Sequence, residues 1–381
     1  MTEQEVLNIL PFIFPLYTAL ISGLLLQRLC NKGESQLEKR SIQMAIWAYI
    51  SAIFAWLSIV FYIVIPQLFV VFNAPVMWIF MGYNILYYRF VFDLTKTHES
   101  EKFSILHFAI PTLIALVLFV WSFFIPFDVQ LQLVESRGEP SRDYPYYSAL
   151  FTSKPLLFVL FHVVYTVFCL LRVIRFRRVV VNYSADEERT SLRWLYQILF
   201  VMLGSLPAAL GFMLLTKQQL TSFPINIFLA LVFMFKDVML VHNILLDNFV
   251  VISSDTSEKE IQTPPTDREL PEQINREDVH RLEIYMSNNR PYLNPKLKIT
   301  EIAQALNTNR SSLSALINGT YGMNFCRFVN RYRLDELDRL KSHPNNTSLS
   351  ELELVAKAGF SDWRGYQRVK SREEEFNLKQ Q

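Results

Sequence analysis

Lys298–Arg333, KITEIAQALNTNRSSLSALINGTYGMNFCRFVNRYR, is the stretch that decides how the C-terminal part of this chain folds. Ile299, Ile302, Ala303 and Leu306 recur at helical spacing and give a first short helix one apolar face. Asn307-Thr308-Asn309 is polar and turn-prone, and Thr308 or Asn309 supplies a cap for the next helix. Leu313, Leu316 and Ile317 set a second apolar face, and the small Ala303 falls where the two helices must approach closely. Gly322-Met323 then breaks the chain before a longer helix. Two short helices across a tight turn make a helix-turn-helix. The second helix, Arg310 to Asn318, is left on the outside, where a DNA major groove can receive it.

The order I-x-x-I-A-x-x-L, a polar turn, S-x-x-L-S-x-x-I-N, then Y-G-M-N-F-x-x-F-V-N-R-Y-R-L resembles the AraC/XylS-type DNA-binding domain. The matching residues are Ile302, Ala303, Leu306, Leu313, Ser314, Ile317, Asn318, Gly322, Met323, Phe325, Phe328, Asn330, Tyr332 and Arg333. The resemblance covers roughly the last hundred of 381 residues and is most specific over Lys296–Leu340. It implies two helix-turn-helix units joined by a connector helix, Asn324–Lys341. The second unit is Leu349–Arg372, where Gly359-Phe360-Ser361 matches the family's G-F-S turn. Its recognition helix, Trp363–Arg372, exposes Arg364, Gln367 and Arg368.

With Leu313, Leu316 and Ile317 inward, the first recognition helix presents Arg310, Ser311, Ser314, Ala315 and Asn318. Arginine binds guanine edges bidentately, asparagine binds adenine, and serine binds bases or phosphates. Arg310 and Asn318 equally suit capping or phosphate contact. The chain departs from the family at four places. Ala315 stands where a basic residue is common, Leu337 where a small one is usual, and Lys370 where an aromatic core residue is expected. The closing G-x-x-P-x-x-Y-R is replaced by SREEEFNLKQQ, whose Glu373, Glu374 and Glu375 carry the wrong sign for phosphate. The first unit is therefore the expected principal DNA reader. The second is expected to be shortened, loosely packed or used for protein contacts.

The rest of the chain has a different composition. The whole is 51% hydrophobic, with 31 Phe, 17 Tyr and only 10 Gly. The apolar runs concentrate in the first 250 residues, and the remainder is polar and charged. That separation predicts a membrane domain over 1–250, a linker over 251–274 stiffened by Pro264-Pro265, and a soluble domain over 275–381. The expected class is all-α: a seven-helix transmembrane bundle followed by the helical DNA-binding domain. Residues 275–381 hold 17 Lys/Arg against 13 Asp/Glu, a modest basicity that permits DNA binding.

Seven segments are expected to span, near 6–29, 41–65, 69–92, 103–125, 149–171, 194–216 and 223–245, with Pro11, Pro15, Pro111, Pro155, Pro207 and Pro224 as tolerated kinks. One set of loops and span ends carries Arg28, Lys32, Lys39, Arg40, Arg89, Lys96, Lys102, Arg172, Arg175, Arg177, Arg178, Arg189 and Arg193; the other carries Arg137, Arg142, Lys154 and Lys217. The positive-inside bias puts the first set in the cytoplasm. The N-terminus is then outside and the C-terminal domain inside, where DNA is. MTEQEVLNIL lacks the basic start of a signal peptide, so the first run reads as a retained span.

Arg172-x-x-Arg175-x-Arg177-Arg178 reads as an anchor on anionic headgroups. The outer stretch Pro126–Tyr147 reads as a solvated connector, with a ligand-facing surface as the alternative. Lys236 is expected to snorkel, and His162 to be a hydrogen-bonded packing residue rather than a ligand or proton sensor. Cys30, Cys169 and Cys326 show neither metal spacing nor a disulfide framework.

No G-x-S-x-G, H-E-x-x-H, C-x-x-C or phosphate loop points to an enzyme, and no cofactor is expected. The resemblance and the spans together imply a multi-pass regulator of the bacterial inner membrane. Its partners are double-stranded DNA, the lipid bilayer, a second copy on DNA, and an unidentified signal ligand or membrane partner. The competing reading is a seven-span receptor or transporter whose helix-turn-helix remnant makes protein contacts.

Overall fold

Helix is the only regular element among the described residues, and one isolated bridge, Ser184 to Lys298, is the sole sheet-like pairing there. The structure is a computed structural model that describes residues 3–31, 36–98, 100–136, 138–206, 223–252, 276–346 and 348–380. The linker stretch 253–275 and the positions of Lys32, Arg137, Pro207 and Lys217 lie outside the described residues.

The chain divides into two compact units. The first gathers Met1–Lys96, Glu101–Val173 and Arg193–Leu246. Its helices are α1 (Glu3–Cys30), α2 (Gln36–Val64), α3 (Pro66–Val71), α4 (Asn73–Leu94), α5 (Leu106–Ser122), α6 (Phe127–Glu135), α7 (Pro145–Thr152), most of α8 (Lys154–Val180), α10 (Arg193–Gly204) and α11 (Phe223–Leu245). Among the described residues, four stretches are long and apolar enough to cross a membrane: Ile9–Cys30, Lys39–Val64, Lys154–Val180 and Asn226–Leu245. Helix α5 is a shorter apolar helix. The expected span at 69–92 is interrupted near its start, where Phe72 separates α3 from α4. The expected span at 194–216 is described as helix only through Gly204 and its immediate surroundings.

Pro126–Tyr147 is a solvated connector only in part: its described residues over 135–146 are exposed or half-buried, but parts of its two helices are not. Helix α6 buries Gln130, Leu133 and Val134, and Tyr147 of α7 is fully buried. Leu133, Val134 and Tyr147 join Phe69, Met77, Met81, Leu118 and Phe151 in one apolar cluster. Tyr147 can be buried because its hydroxyl donates to Gln130 Oε1 at 2.9 Å, while Gln130 Nε2 donates to the Ser122 and Ile125 carbonyls.

The second unit comprises Thr97–Ser100, Ile174–Leu192 and Asp247–Gln381. It therefore takes the last turns of α8, the short helix α9 (Glu187–Ser191), and the chain from Asp247 onward. Its C-terminal helices are α12 (Arg276–Asn289), α13 (Ile299–Ala305), α14 (Arg310–Tyr321), α15 (Phe325–Ser342), α16 (Glu351–Lys357) and α17 (Trp363–Gln380). Each boundary has a local cause. Helix α13 ends at Leu306, Asn307 turns left-handed at φ 55°, and Thr308 N–H donates to Ala303 O. Asn309 then caps α14 by accepting from Ser312 N–H at 2.8 Å. Gly322, at φ 64°, ends α14, and Asn324 caps α15 through Arg327 N–H. Ser350 and Glu353 form a reciprocal capping box at the start of α16.

Candidate nucleic-acid interface

The pairing of α13 with α14 rests on fully buried Ile299, Ile302, Leu313 and Ile317, with Ala303 nearly so. Burial of this size is worth about 1.5–3 kcal/mol per large aliphatic side chain. The opposite side of α14 exposes Ser311, Ala315 and Asn318, with Ser314 half-buried. Asn318 Nδ2 lies 3.4 Å from Ser314 Oγ, so these two polar groups form one patch. Arg310 is half-buried, and its guanidinium lies 5.2 Å from the centre of the Tyr183 ring. Four of the five residues read as a groove-facing set are thus on one accessible or partly accessible face, and Arg310 leans on the segment before α9.

The second helix pair is well packed rather than loose. Leu337, Leu354, Val355, Ala358, Phe360, Tyr366 and Val369 form one buried cluster, so Leu337 serves as core where a small residue was expected. Lys370 is exposed, and Val369 and Tyr366 take the inward positions. Gly359 has φ +94°, and a Cβ there would stand 2.3 Å from Tyr292 O, so only glycine fits the turn. Nor is α17 shortened at Arg372; it continues to Gln380. Glu373 in its acidic run makes a bidentate pair with Arg327 of α15, at 2.6 and 3.0 Å.

Arg364 and Gln367 are exposed on α17. Arg368 is not: its side chain is only 15% exposed and is ion-paired with Glu188. One turn further, Arg372 binds Glu187 through both carboxylate oxygens, at 2.7 and 3.0 Å. Ser361 Oγ donates to Asp186 Oδ1 at 3.3 Å. The expected exposed cation at 368 is therefore corrected to a position already holding a carboxylate. Helical spacing alone put Arg368 outward, but Asp186–Glu188 covers that side.

The same segment is held further along. The guanidinium of Arg333, 2% exposed, donates to the carbonyls of Ala185, Tyr292 and Asn294 at 2.8 Å each and to Asn330 Oδ1 at 2.9 Å. Burial pulls its pKa down to about 10, which still leaves it charged at neutral pH. Ala185 N–H donates to Leu297 O, Ile299 N–H to Tyr183 O, and Cys326 N–H to Val181 O. The Cys326 thiol lies 3.6 Å from Glu187 Oε2, and burial pushes its pKa up. Asp186 caps α9 by accepting from Glu188 and Arg189 N–H; burial raises its pKa, opposed by those bonds and by the nearby arginines. Arg189 pairs with Asp247 at 2.7 Å, and Lys296 shares that carboxylate at 3.1 Å.

Asp186, Glu187 and Glu188 were not singled out in the sequence. Their one visible signal was charge: an acidic triplet between Arg178 and Arg189, in a set of loops otherwise dominated by Lys and Arg.

In the first unit, His162 Nδ1 lies 2.9 Å from Asn84 Oδ1 and Nε2 lies 2.9 Å from Met202 O, the hydrogen-bonded packing role expected of it. Lys236 does not snorkel. It is 4% exposed, 3.0 Å from Asp237 Oδ1, and also bonded to the Tyr83 hydroxyl. A cavity of about 10 Å³ beside these groups has room for a single water-sized molecule. Arg172, the first residue of the basic cluster, binds Glu101 at 2.5 Å and Thr95 at 3.0 Å instead of standing free for headgroups. Among the described residues no group of three or more His, Cys, Asp or Glu side chains is placed to hold a metal ion.

No family model matches this chain, and comparison with curated proteins and with solved structures returned no match.

Proposed function

We propose that this protein is a membrane-integrated, sequence-specific DNA-binding transcription regulator. In this reading a seven-span domain in the bacterial inner membrane senses a signal and controls the pairing of cytoplasmic DNA-binding domains. One observation carries it. Helix α14 buries Leu313 and Ile317 against α13 and leaves Ser311, Ala315 and Asn318 exposed, with Ser314 among them. A short polar-faced helix, stiffly seated across a tight turn, is what major-groove reading requires. Four helices of spanning length and hydropathy among the described residues support the membrane anchor. Helix α5, with 17 residues, rises about 26 Å and would cross with modest thinning of a bilayer.

The test uses the full-length protein in lipid nanodiscs and a library of genomic DNA fragments. Enrichment of a recurrent half-site is expected at low salt, falling steeply as salt rises. The double variant Arg310→Ala/Ser314→Ala should lose that enrichment. If no fragment is enriched at any salt, the reading fails.

A second reading draws on the pairing of Arg368 and Arg372 with Glu188 and Glu187. There the helix pairs make protein contacts only, on a seven-span receptor or transporter. Under it the Arg310→Ala/Ser314→Ala variant leaves promoter output unchanged in cells.

A further inference from the structure

Helix α17 carries four polar side chains at the spacing of its turns: Arg364, Gln367, Arg368 and Arg372. Two are open and two hold carboxylates of the segment Asp186–Glu188. We infer that Asp186–Glu188 is an internal stand-in for DNA phosphate, an acidic clamp that occupies the cationic face of α17 and must leave before that face can meet a nucleic acid. The inference rests on the DNA-binding reading above and gives that site its regulation.

The geometry fits competition. Carboxylate and phosphate both accept charge-assisted hydrogen bonds from guanidinium groups, so Arg372, bidentate on Glu187, already makes the contact it would make to a phosphodiester. Ser361 Oγ, another ordinary phosphate donor, is spent on Asp186. The clamp also reaches the first helix pair: Tyr183, three residues before Asp186, accepts the Ile299 N–H at the start of α13 and lies under Arg310. Release of residues 183–188 would therefore free cations on α14 and α17 together.

The two ends of the clamp show what could pull on it. The segment lies between the end of α8 at Val180 and the start of α10 at Arg193, and both helices belong largely to the first unit. Its far side is fixed by Arg189 on Asp247, two residues past the end of α11. Relative movement of these three helix ends is thus covalently connected to the groups that neutralise Arg368 and Arg372. The clamp is a two-state element that such movement can bias, which a signal-controlled DNA-binding face needs.

The test is made on the full-length protein in nanodiscs with a fluorescent mixed-sequence DNA duplex at low salt. Glu187→Gln/Glu188→Gln keeps the shape of the segment and removes its charge. Affinity should rise on the order of tenfold, and the slope of log affinity against log salt should steepen by about 1.8, as two arginines become free for phosphates. A second measurement needs no change in the clamp. In a Cys30→Ser/Cys169→Ser background, Cys326 is the one remaining thiol; it is 2% exposed and its backbone N–H is held by Val181 O. Saturating duplex should speed its alkylation several-fold, because DNA binding displaces the segment that covers it. If the protein binds DNA but the variant binds no tighter and Cys326 stays protected in the complex, the clamp is overturned and the DNA-binding reading stands. If neither protein binds the duplex, both readings fall.

Discussion

Arg333 offers the sharpest test of how the second unit is held together. Its guanidinium is 2% exposed and has four close acceptors: the carbonyls of Tyr292, Ala185 and Asn294 and the side chain of Asn330. These acceptors lie in three separate stretches, so one side chain joins the segment before α9, the turn before α13 and helix α15. In Arg333→Ala the donors vanish; the Tyr292 and Ala185 carbonyls are left facing a cavity, while the Asn294 carbonyl keeps the Leu297 N–H. Each unsatisfied buried carbonyl costs about 1–3 kcal/mol, and relaxation and water entry recover part of the sum. A net loss of about 3–5 kcal/mol follows, the range for breaking one side of a buried charged network. For a unit of this size that is about 10–15 °C in melting temperature. Arg333→Lys keeps the charge but replaces the planar fork by one compact ammonium, which cannot reach all three stretches; about half the loss should remain. Melting is followed on the full-length protein by alkylation of Cys326 along a temperature series, in the Cys30→Ser/Cys169→Ser background. An Arg333→Ala protein within about 1 kcal/mol of its parent would show that the guanidinium network does not bind these stretches together.

Three further outcomes are expected. Gly359→Ala should destabilise the second unit by about 3 kcal/mol or more, because φ is +94° and the new Cβ would meet Tyr292 O at 2.3 Å and Leu293 Cα at 2.8 Å; a thermal melt close to that of the parent would refute it. Asn309→Ala should cost about 1 kcal/mol and speed hydrogen exchange at the Ser312 amide while leaving α15 protected, since the cap serves α14 alone. The Asp186 carboxyl has its pKa raised by burial above the ordinary 3.8, so the folded unit binds the proton more tightly than the unfolded chain. Stability from this group is therefore greatest below 3.8 and falls as pH rises through the window above it. Asp186→Asn keeps an efficient cap and removes the titration, so the parent-minus-variant melting difference should decline as pH climbs through that window, and a flat difference would refute the assignment.

Local signals account for most of what could be read in advance. The turn between α13 and α14 was legible because Asn307-Thr308-Asn309 combines a residue that tolerates the left-handed region with one that caps. The end of α14 was legible at Gly322 for the same kind of reason. The pairings that hold the second unit together were not. Ala185 and Arg333 are 148 positions apart, and Glu187 and Arg372 are 185 apart. Helical periodicity and capping act within a few residues, so they carry no record of such partners. The acidic run after Arg372 shows the consequence. Weighed only against DNA, Glu373 has the wrong sign; beside Arg327 it has the right one.

Every residue assigned to a reading face by spacing is subject to the same limit. On α17, Tyr366 and Val369 point into the core that α17 shares with α15 and α16, and Arg368 falls off that face. Periodicity establishes only that Arg368 is outside this core. Whether it meets water, DNA or another part of the chain is decided by what else folds against the helix, and here Glu188 does. Lys236 repeats the pattern in the first unit, where a lysine in the body of α11, expected to snorkel, lies buried between Asp237 and Tyr83. Ser311 and Asn318 differ from both, because no described residue of the second unit covers them and they remain exposed. A DNA contact through α14 therefore needs no rearrangement at these two side chains, whereas contact through Arg368 and Arg372 requires the acidic segment to leave. If both helices engage DNA, binding should proceed in two resolvable steps, an α14-dependent encounter abolished by Asn318→Ala and a slower step accelerated by Glu187→Gln/Glu188→Gln. A single step insensitive to the acidic residues would confine recognition to α14.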